Sequence, residues 1–421
     1  MAANPSDPDP EALRARQAAL FEQLQVHPDD LDVMFDYAVT SIKLRDYEPA
    51  IATLERMLIY KPDLPRVKLE LGSAYFRLGS YEVSRYYFQQ VLDGDAPPEV
   101  RARVAAFMAQ IDERTKRSAF RATVSGGLVY STNANLGPED RLVEVLGTTG
   151  LLDPEFQGRA DFGAALNAGF THVLDLERPN YDVWITDGAY AGLRFFEETD
   201  GDIDAFLLRT GPRLALDDES YGPKLRPFVS GSYVRSGGDT LYFGGGGGFE
   251  YLNTLDAATT LLGSLNVSYR NYDSEDDAND GVYGLATLGT AYRLSEQTVL
   301  NGGVFAVREQ ADKSYVADWG LGLRGAVSHR YETGIDTLFE DPWTITAFAQ
   351  VSHRWYDAAD PAVNPDKTRD DTDYRIGMVN SMPVGDGFAV RLEGSYFLRN
   401  SNIRNFDLDN LQFGVLLEKS F

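Results

Sequence analysis

The sequence predicts an α+β multidomain protein: an N-terminal α-helical repeat array followed by a transmembrane antiparallel β-barrel of about 14 strands. Residues 11–117 carry apolar positions at helical spacing, in a pattern that recurs with a fixed period. From residue 118 to Phe421 the apolar period falls to two. The composition suits such a chain: 421 residues with 39 glycines and 12% aromatics, no cysteine, and 64 Asp+Glu against 39 Lys+Arg for a net charge of −25. That acidity argues against nucleic acid, because a protein that tracks a phosphate backbone needs Lys and Arg to release counterions. Without cysteine there are no disulfides, thiolate metal sites, iron–sulfur clusters or thiol nucleophiles. No apolar run approaches the roughly 18 residues of a spanning helix, which says nothing against crossing as strands.

The opening segment, residues 1–10, is rich in Pro, Asp and Ala and is expected to be disordered. It carries neither a basic stretch nor an apolar one, so it does not read as a signal peptide. Joined to a barrel, it reads as the start of a mature exported chain whose signal has been removed.

The helical array follows, over residues 11–117. Tyr47 and Tyr81, Ala38 and Gly72, Leu54 and Phe88, and Pro28 and Pro62 are all separated by the same interval. That interval, with small residues, Tyr and a terminal Pro at these offsets, is the period of the tetratricopeptide pattern. Small residues let paired helices approach, and large ones fill the seam between pairs. Such arrays bind a partner along the first helix of each pair. The corresponding positions are Asp32, Phe35, Val39, Ile42 and Lys43, then Arg66, Leu69, Ser73, Phe76 and Arg77. Packing inside the array is the alternative for each apolar residue among them.

The barrel is expected over residues 118–421, with segments starting near residues 120, 158, 180, 202, 223, 240, 257, 281, 297, 314, 342, 370, 386 and 405. Trp319, Leu321, Leu323, Gly325 and Val327 alternate with Asp318, Gly320, Gly322, Arg324 and Ala326, and Phe388 to Arg399 behaves alike. Aromatics at both ends of the apolar face (Tyr315 and Tyr331, Trp343 and Trp355, Phe388 and Tyr396) fit the girdles at the two membrane–water boundaries. With the helices taken as periplasmic, long connections near residues 134–157, 272–280 and 356–369 face outward. Short turns at Asn253–Asp256, Leu294–Gln297 and Pro383–Asp386 face inward, as do longer connections near 215–222 and 331–341. The final strand, with Gly414, Leu417 and the terminal Phe421, resembles the assembly signal of outer-membrane barrels, although Leu417 and Lys419 stand where aromatics are commoner.

Catalytic chemistry is not legible, and the expectation is a protein that is no enzyme and needs no cofactor or metal. His27, His172, His329 and His353 share no ligand spacing, and no nucleophile-elbow pattern occurs. Gly244–Gly248 lacks the Lys-Ser/Thr of a phosphate loop. It marks a bend or close approach, or leaves lumenal space for a plug. The acidic loop Asp273–Asp280 fits no EF-hand spacing and reads as a solvated loop.

A short tetratricopeptide module before a barrel of about 14 strands resembles the surface lipoprotein assembly modulator family of Gram-negative outer membranes. The first barrel strand adds Tyr130, Asn133 and Asn135, with Pro138 close behind; Ser131 stands where that family's opening motif has Asp. The resemblance implies an outer-membrane translocon that delivers or secretes protein cargo, such as a surface lipoprotein or a secreted binding protein. It implies periplasmic repeats that engage cargo or a chaperone, contact with outer-membrane lipid and lipopolysaccharide, and insertion by the barrel assembly machinery. Two alternatives stand beside it: an exopolysaccharide export porin, which a lumen rich in one charge sign would favour, and a non-transporting barrel that scaffolds a periplasmic partner.

Overall fold

In a computed structural model the described residues are 10–178, 182–217, 222–273, 279–334, 339 and 342–421. The expected N-terminal disorder, most of the acidic loop after Asp273, and parts of the connections at 215–222 and 331–341 lie outside the described residues. The chain divides into two compact units, Met1–Lys116 and Arg117–Phe421.

Among the described residues the first unit holds six helices: α1 (Pro10–Val26), α2 (Leu31–Lys43), α3 (Tyr47–Tyr60), α4 (Pro65–Leu78), α5 (Tyr81–Leu92) and α6 (Pro98–Arg114). The starts of α2 and α4, at Leu31 and Pro65, are one sequence period apart, as are those of α3 and α5, at Tyr47 and Tyr81. Local chemistry sets the ends. The Asp30 carboxylate accepts from the N–H groups of Asp32 and Val33, both at 3.1 Å, and so caps α2. Pro65 opens α4, and Gly79 closes it at φ +85°. The seam is built as the period requires. Gly72 lies against the Phe88 ring so closely that an added Cβ would stand 2.6 Å from it. The Gly72 carbonyl accepts from the buried Ser84 hydroxyl at 2.7 Å. One period earlier, Ala38 and Leu54 are both fully buried in a core shared with Met34, Ala50, Met57 and Leu71.

The second unit is a closed antiparallel barrel of 14 strands. They are β1 (Ser118–Ser131), β4 (Asp161–Asp175), β5 (Val183–Phe195), β6 (Ile203–Ala215), β7 (Lys224–Ser236), β8 (Asp239–Thr254), β9 (Thr259–Tyr272), β10 (Gly281–Arg293), β11 (Thr298–Ala311), β12 (Asp318–Tyr331), β13 (Trp343–Ala359), β14 (Thr368–Gly385), β15 (Phe388–Ser401) and β16 (Leu408–Ser420). A hairpin of β2 (Leu142–Val145) and β3 (Thr148–Leu151) interrupts the first connection. Each strand pairs with its sequence neighbour, and β1 closes the sheet on β16, from Ser131↔Gln412 to Thr123↔Ser420. The even strand count returns the C-terminus to the rim where β1 begins. There Phe421 and Ala122 exchange backbone hydrogen bonds of 2.9 and 3.4 Å.

The alternation now has two addresses. Leu128, Val229, Leu288, Leu323, Ile376 and Val415 point outward and are 56–63% exposed. An apolar band of that extent would be unstable against water. Aromatic pairs bound it at both heights. Towards the distal rim, Tyr130 meets Phe162 at 4.8 Å, Tyr233 meets Phe243 at 4.5 Å, and Trp319 stacks on Trp355 at 4.2 Å. Towards the terminal rim, Phe120 meets Phe170 at 5.9 Å and Tyr331 meets Trp343 at 6.1 Å. From Phe120 to Tyr130, about 3.3 Å per residue and about 40° of tilt give roughly 25 Å of height, the thickness of an outer-membrane hydrocarbon band.

Two details differ from the sequence reading. Tyr315 lies in the β11–β12 connection, and Trp319 takes the distal girdle position on β12. Pro383 sits within β14 at a register shift rather than in a turn, since a bulge spares the ladder a missing N–H. The turn is Asp386–Gly387, at φ +50° and +75°, the two-residue geometry that follows strand twist.

Candidate functional site: the barrel lumen

Cross-strand register fixes which side chains face the lumen, because directly opposed residues share a face. On the β5–β8 wall, Arg209 binds Asp187 at 2.9 Å and Glu250 at 2.7 Å. Arg226 binds the same two carboxylates at 2.8 and 3.0 Å, and its side chain is only 5% exposed. Two cations and two carboxylates therefore cancel in one cluster. Such a pair, once desolvated, is strongly destabilised by loss of either partner.

A second band crosses β9 to β15 nearer the distal rim. Arg270 binds Glu309 at 3.1 Å and lies 3.5 Å over the Tyr283 ring. Arg354 reaches the buried Asp318 at 3.5 Å. Arg399 holds Asp373 through two hydrogen bonds of 2.6 and 2.8 Å, and Arg369 holds Asp371 in the same manner at 3.0 and 2.6 Å. Towards the terminal rim, Arg391 joins Glu393 at 2.6 Å and Glu418 on β16 at 2.7 Å. Arg270, Asp318, Arg324, Arg354, Arg391, Glu393 and Arg399 all have inward register. The setting of these cations against carboxylates across strands is what the sequence did not reveal.

The lumenal carboxylates of these clusters each lie against an arginine, Glu393 and Glu418 sharing Arg391, whereas some inward arginines have no carboxylate partner. Arg121, Arg213, Arg324 and Arg375 form no ion pair among the described residues. Arg324 and Arg375 are cross-strand neighbours of the same residue, Gln350 on β13. They line a cavity of about 450 Å³ together with Asn301, Thr287 and Phe348.

The first-strand motif lies at the base of the long distal loop, residues 132–160. Asn133 is buried; its amide donates to the Gly137 carbonyl at 2.8 Å and the Asp409 carbonyl at 3.1 Å, and accepts from the Gly137 N–H at 2.9 Å. Asn135 donates to Gln157 at 2.8 Å and accepts from the Arg159 N–H at 2.9 Å, tying the loop's two ends together. Tyr130 points outward onto Phe162. The loop's hairpin, β2–β3, gives no helical or long-strand signal, and its turn at Leu146–Gly147 lacks the usual Asn-Gly. It bonds to other distal connections: Leu146 N–H to Ala362 O at 3.0 Å, Gly147 N–H to Val363 O at 2.9 Å, and Glu144 N–H to Asn405 at 2.6 Å.

Of the helical positions, Asp32, Lys43, Arg66 and Arg77 are exposed, and Phe35, Val39 and Leu69 are half-buried. Ile42, Ser73 and Phe76 are buried. Arg66 lies 4.5 Å over the Phe35 ring, joining α4 to α2. Phe76 packs edge-on against Phe107 at 5.1 Å and lies under Arg114. On the closing strand, Gly414 faces inward between Glu393 and Val129, Leu417 points outward, and Phe421 is 70% exposed.

Within Gly244–Gly248, positions 244, 246 and 248 face the lumen. A Cβ on Gly246 or Gly248 would stand 2.1 or 1.9 Å from a backbone oxygen of β9. Close strand approach thus accounts for these two glycines without invoking a plug. No group of three His, Asp or Glu among the described residues converges as a metal site.

No protein-family model matches the chain, and no characterised protein matches it in sequence. Solved structures similar to it include the outer membrane channel DcaP of Acinetobacter baumannii (TM-score 0.40, 9% identity, covering 72% of this chain and 97% of that one). A bacterial polysaccharide outer membrane secretin gives a TM-score of 0.39 at 10% identity, covering 73% and 99%. A loop-deletion mutant of OmpT, an outer membrane protein of Vibrio cholerae, gives 0.37 at 8% identity, covering 73% and 100%.

Proposed function

We propose that the chain is an outer-membrane conduit that delivers protein cargo, with a tetratricopeptide array engaging cargo or its chaperone in the periplasm and the barrel serving as the passage. One observation carries this reading. Helix pairs that recur at a fixed period and pack small against large (Gly72 against Phe88) stand on the same chain as a closed barrel with a charged, water-facing interior. Passage through such a wall needs orientation and screening, and no bond is made or broken. Arg66 and Phe35 supply the array with a basic and aromatic surface of the kind that holds an extended polypeptide.

The test is a chain lacking residues 11–117, compared with the full chain in a Gram-negative host. The truncated barrel is expected to insert, seen as a heat-modifiable band, while polypeptides labelled at the cell surface by an impermeant biotin reagent lose the members that depend on the full chain. An unchanged set of labelled surface polypeptides sinks the reading.

Export of an acidic polysaccharide is a second reading, favoured by the uncompensated Arg213, Arg324 and Arg375. Surface carbohydrate, and not surface protein, would then depend on the chain.

A further inference from the structure

We propose that Arg324 and Arg375, flanking Gln350 midway through the barrel wall, form an anion-binding step that makes the lumen anion-selective; the inference rests on the barrel being an open conduit. Gln350 on β13 is the direct cross-strand partner of Arg324 on β12 and of Arg375 on β14. All three side chains therefore face inward at one level. Adjacent strands lie about 4.8 Å apart, so the two arginine backbones are separated by roughly 10 Å. That spacing lets two guanidinium groups address one carboxylate or phosphate group, with the Gln350 amide between them as a further donor.

The surrounding charge sets these two residues apart from the paired arginines of the wall, and Gln350 between them sets them apart from the unpaired Arg121 and Arg213. Among the described residues neither makes a hydrogen bond or an ion pair; Arg375 has only the face of Phe397, at 5.3 Å. The carboxylates closest along the strands are already engaged: Asp373 by Arg399 at 2.6 Å, and Glu393 by Arg391 at 2.6 Å. On the β11 side, Arg324 faces Gly303, which carries no side chain, and Asn301 lies two positions along. Both guanidinium groups are exposed although they point into the barrel, so they meet lumenal water. A structural arginine in this wall binds a carboxylate, as Arg209, Arg226, Arg270, Arg354 and Arg399 do. Two cations left open side by side repel one another, and an anion relieves that repulsion. A low-dielectric wall concentrates their field in the passage. The result is a lumen that attracts anions within a chain of net charge −25.

The full-length protein, reconstituted in a planar bilayer under a tenfold KCl gradient, tests this through its reversal potential. The intact chain should favour chloride over potassium. Arg324→Gln with Arg375→Gln should lower the chloride-to-potassium permeability ratio at least about sevenfold. Two unit charges acting through water at about 7 Å change the free energy of an anion by about 2RT, and that of a cation by as much in the opposite sense. Arg324→Lys with Arg375→Lys should keep the preference, and molar salt should weaken it in the intact chain. Inorganic phosphate should reduce the chloride current of the intact chain, and not that of the double Gln variant. Heat-modifiable migration reports whether each variant is folded. A conducting barrel that favours potassium, or one indifferent to the double Gln change, overturns the anion step alone. A correctly inserted barrel that never conducts overturns the conduit reading together with it.

Discussion

Asn133 shows how much one side chain holds at the base of the distal loop. Its amide satisfies the Gly137 N–H and the carbonyls of Gly137 and Asp409 in a buried position. Asn133→Ala should leave those groups unmatched at a cost of about 1–3 kcal/mol. The expected readout is faster limited proteolysis within residues 132–160, with the heat-modifiable barrel unchanged; equal nicking rates would count against the clamp. Gly72 and Phe88 make the corresponding test in the helices. Gly72→Val drives a side chain into the Phe88 ring and should cost about 1–3 kcal/mol. Phe88→Ala should cost about 3–5 kcal/mol by opening a cavity. Because the added and removed volumes meet, the double variant should lose less helical stability than the sum, followed by circular dichroism of the full chain. Strict additivity would show that the two residues do not touch.

Among elements, the β8–β9 turn carries a titration with a definite sign. The exposed Asp256 carboxylate accepts from the N–H groups of Ala258 at 2.7 Å and Thr259 at 2.8 Å, and these bonds hold its pKa below the ordinary aspartate value. A depressed folded-state pKa contributes stability that is fully present above the ordinary value, about 3.9, and is lost as pH falls through the lowered one. The Ala258 and Thr259 amide resonances in detergent should therefore move with a midpoint below about 3.9 and stay fixed in Asp256→Asn. A midpoint at or above that value would contradict the geometry. In the helices, Tyr75 donates to Glu55 at 2.6 Å, and burial beside that carboxylate raises the phenol pKa, so it remains a donor across the physiological range.

The whole barrel was legible because its signal is repeated. One strand of alternating apolar residues is ambiguous, but 14 in series, with aromatics at two heights, point to a single architecture. The starts anticipated for the strands fall within a few residues of those observed, as with 203 against 202 and 298 against 297. Turns are less legible. Pro383 resembles a turn residue in a sequence, and only the bulge in register with β15 shows that the ladder tolerates it. The β2–β3 hairpin leaves no sequence signal because its short strands are stabilised by residues 362, 363 and 405, far along the chain.

Local periodicity by itself determined the helical array with its recurrence, the closed sheet, and the division of each strand into an inward and an outward face. Period and side-chain direction are local properties of the backbone, so they are written in consecutive residues. Charge compensation was decided only by the tertiary structure. A net charge of −25 gives no hint of a lumen with surplus arginine, because whether a carboxylate cancels a guanidinium depends on distances between strands far apart in sequence. Register brings Asp187 to Arg226 and Asp373 to Arg399, and it leaves Arg324 and Arg375 facing water.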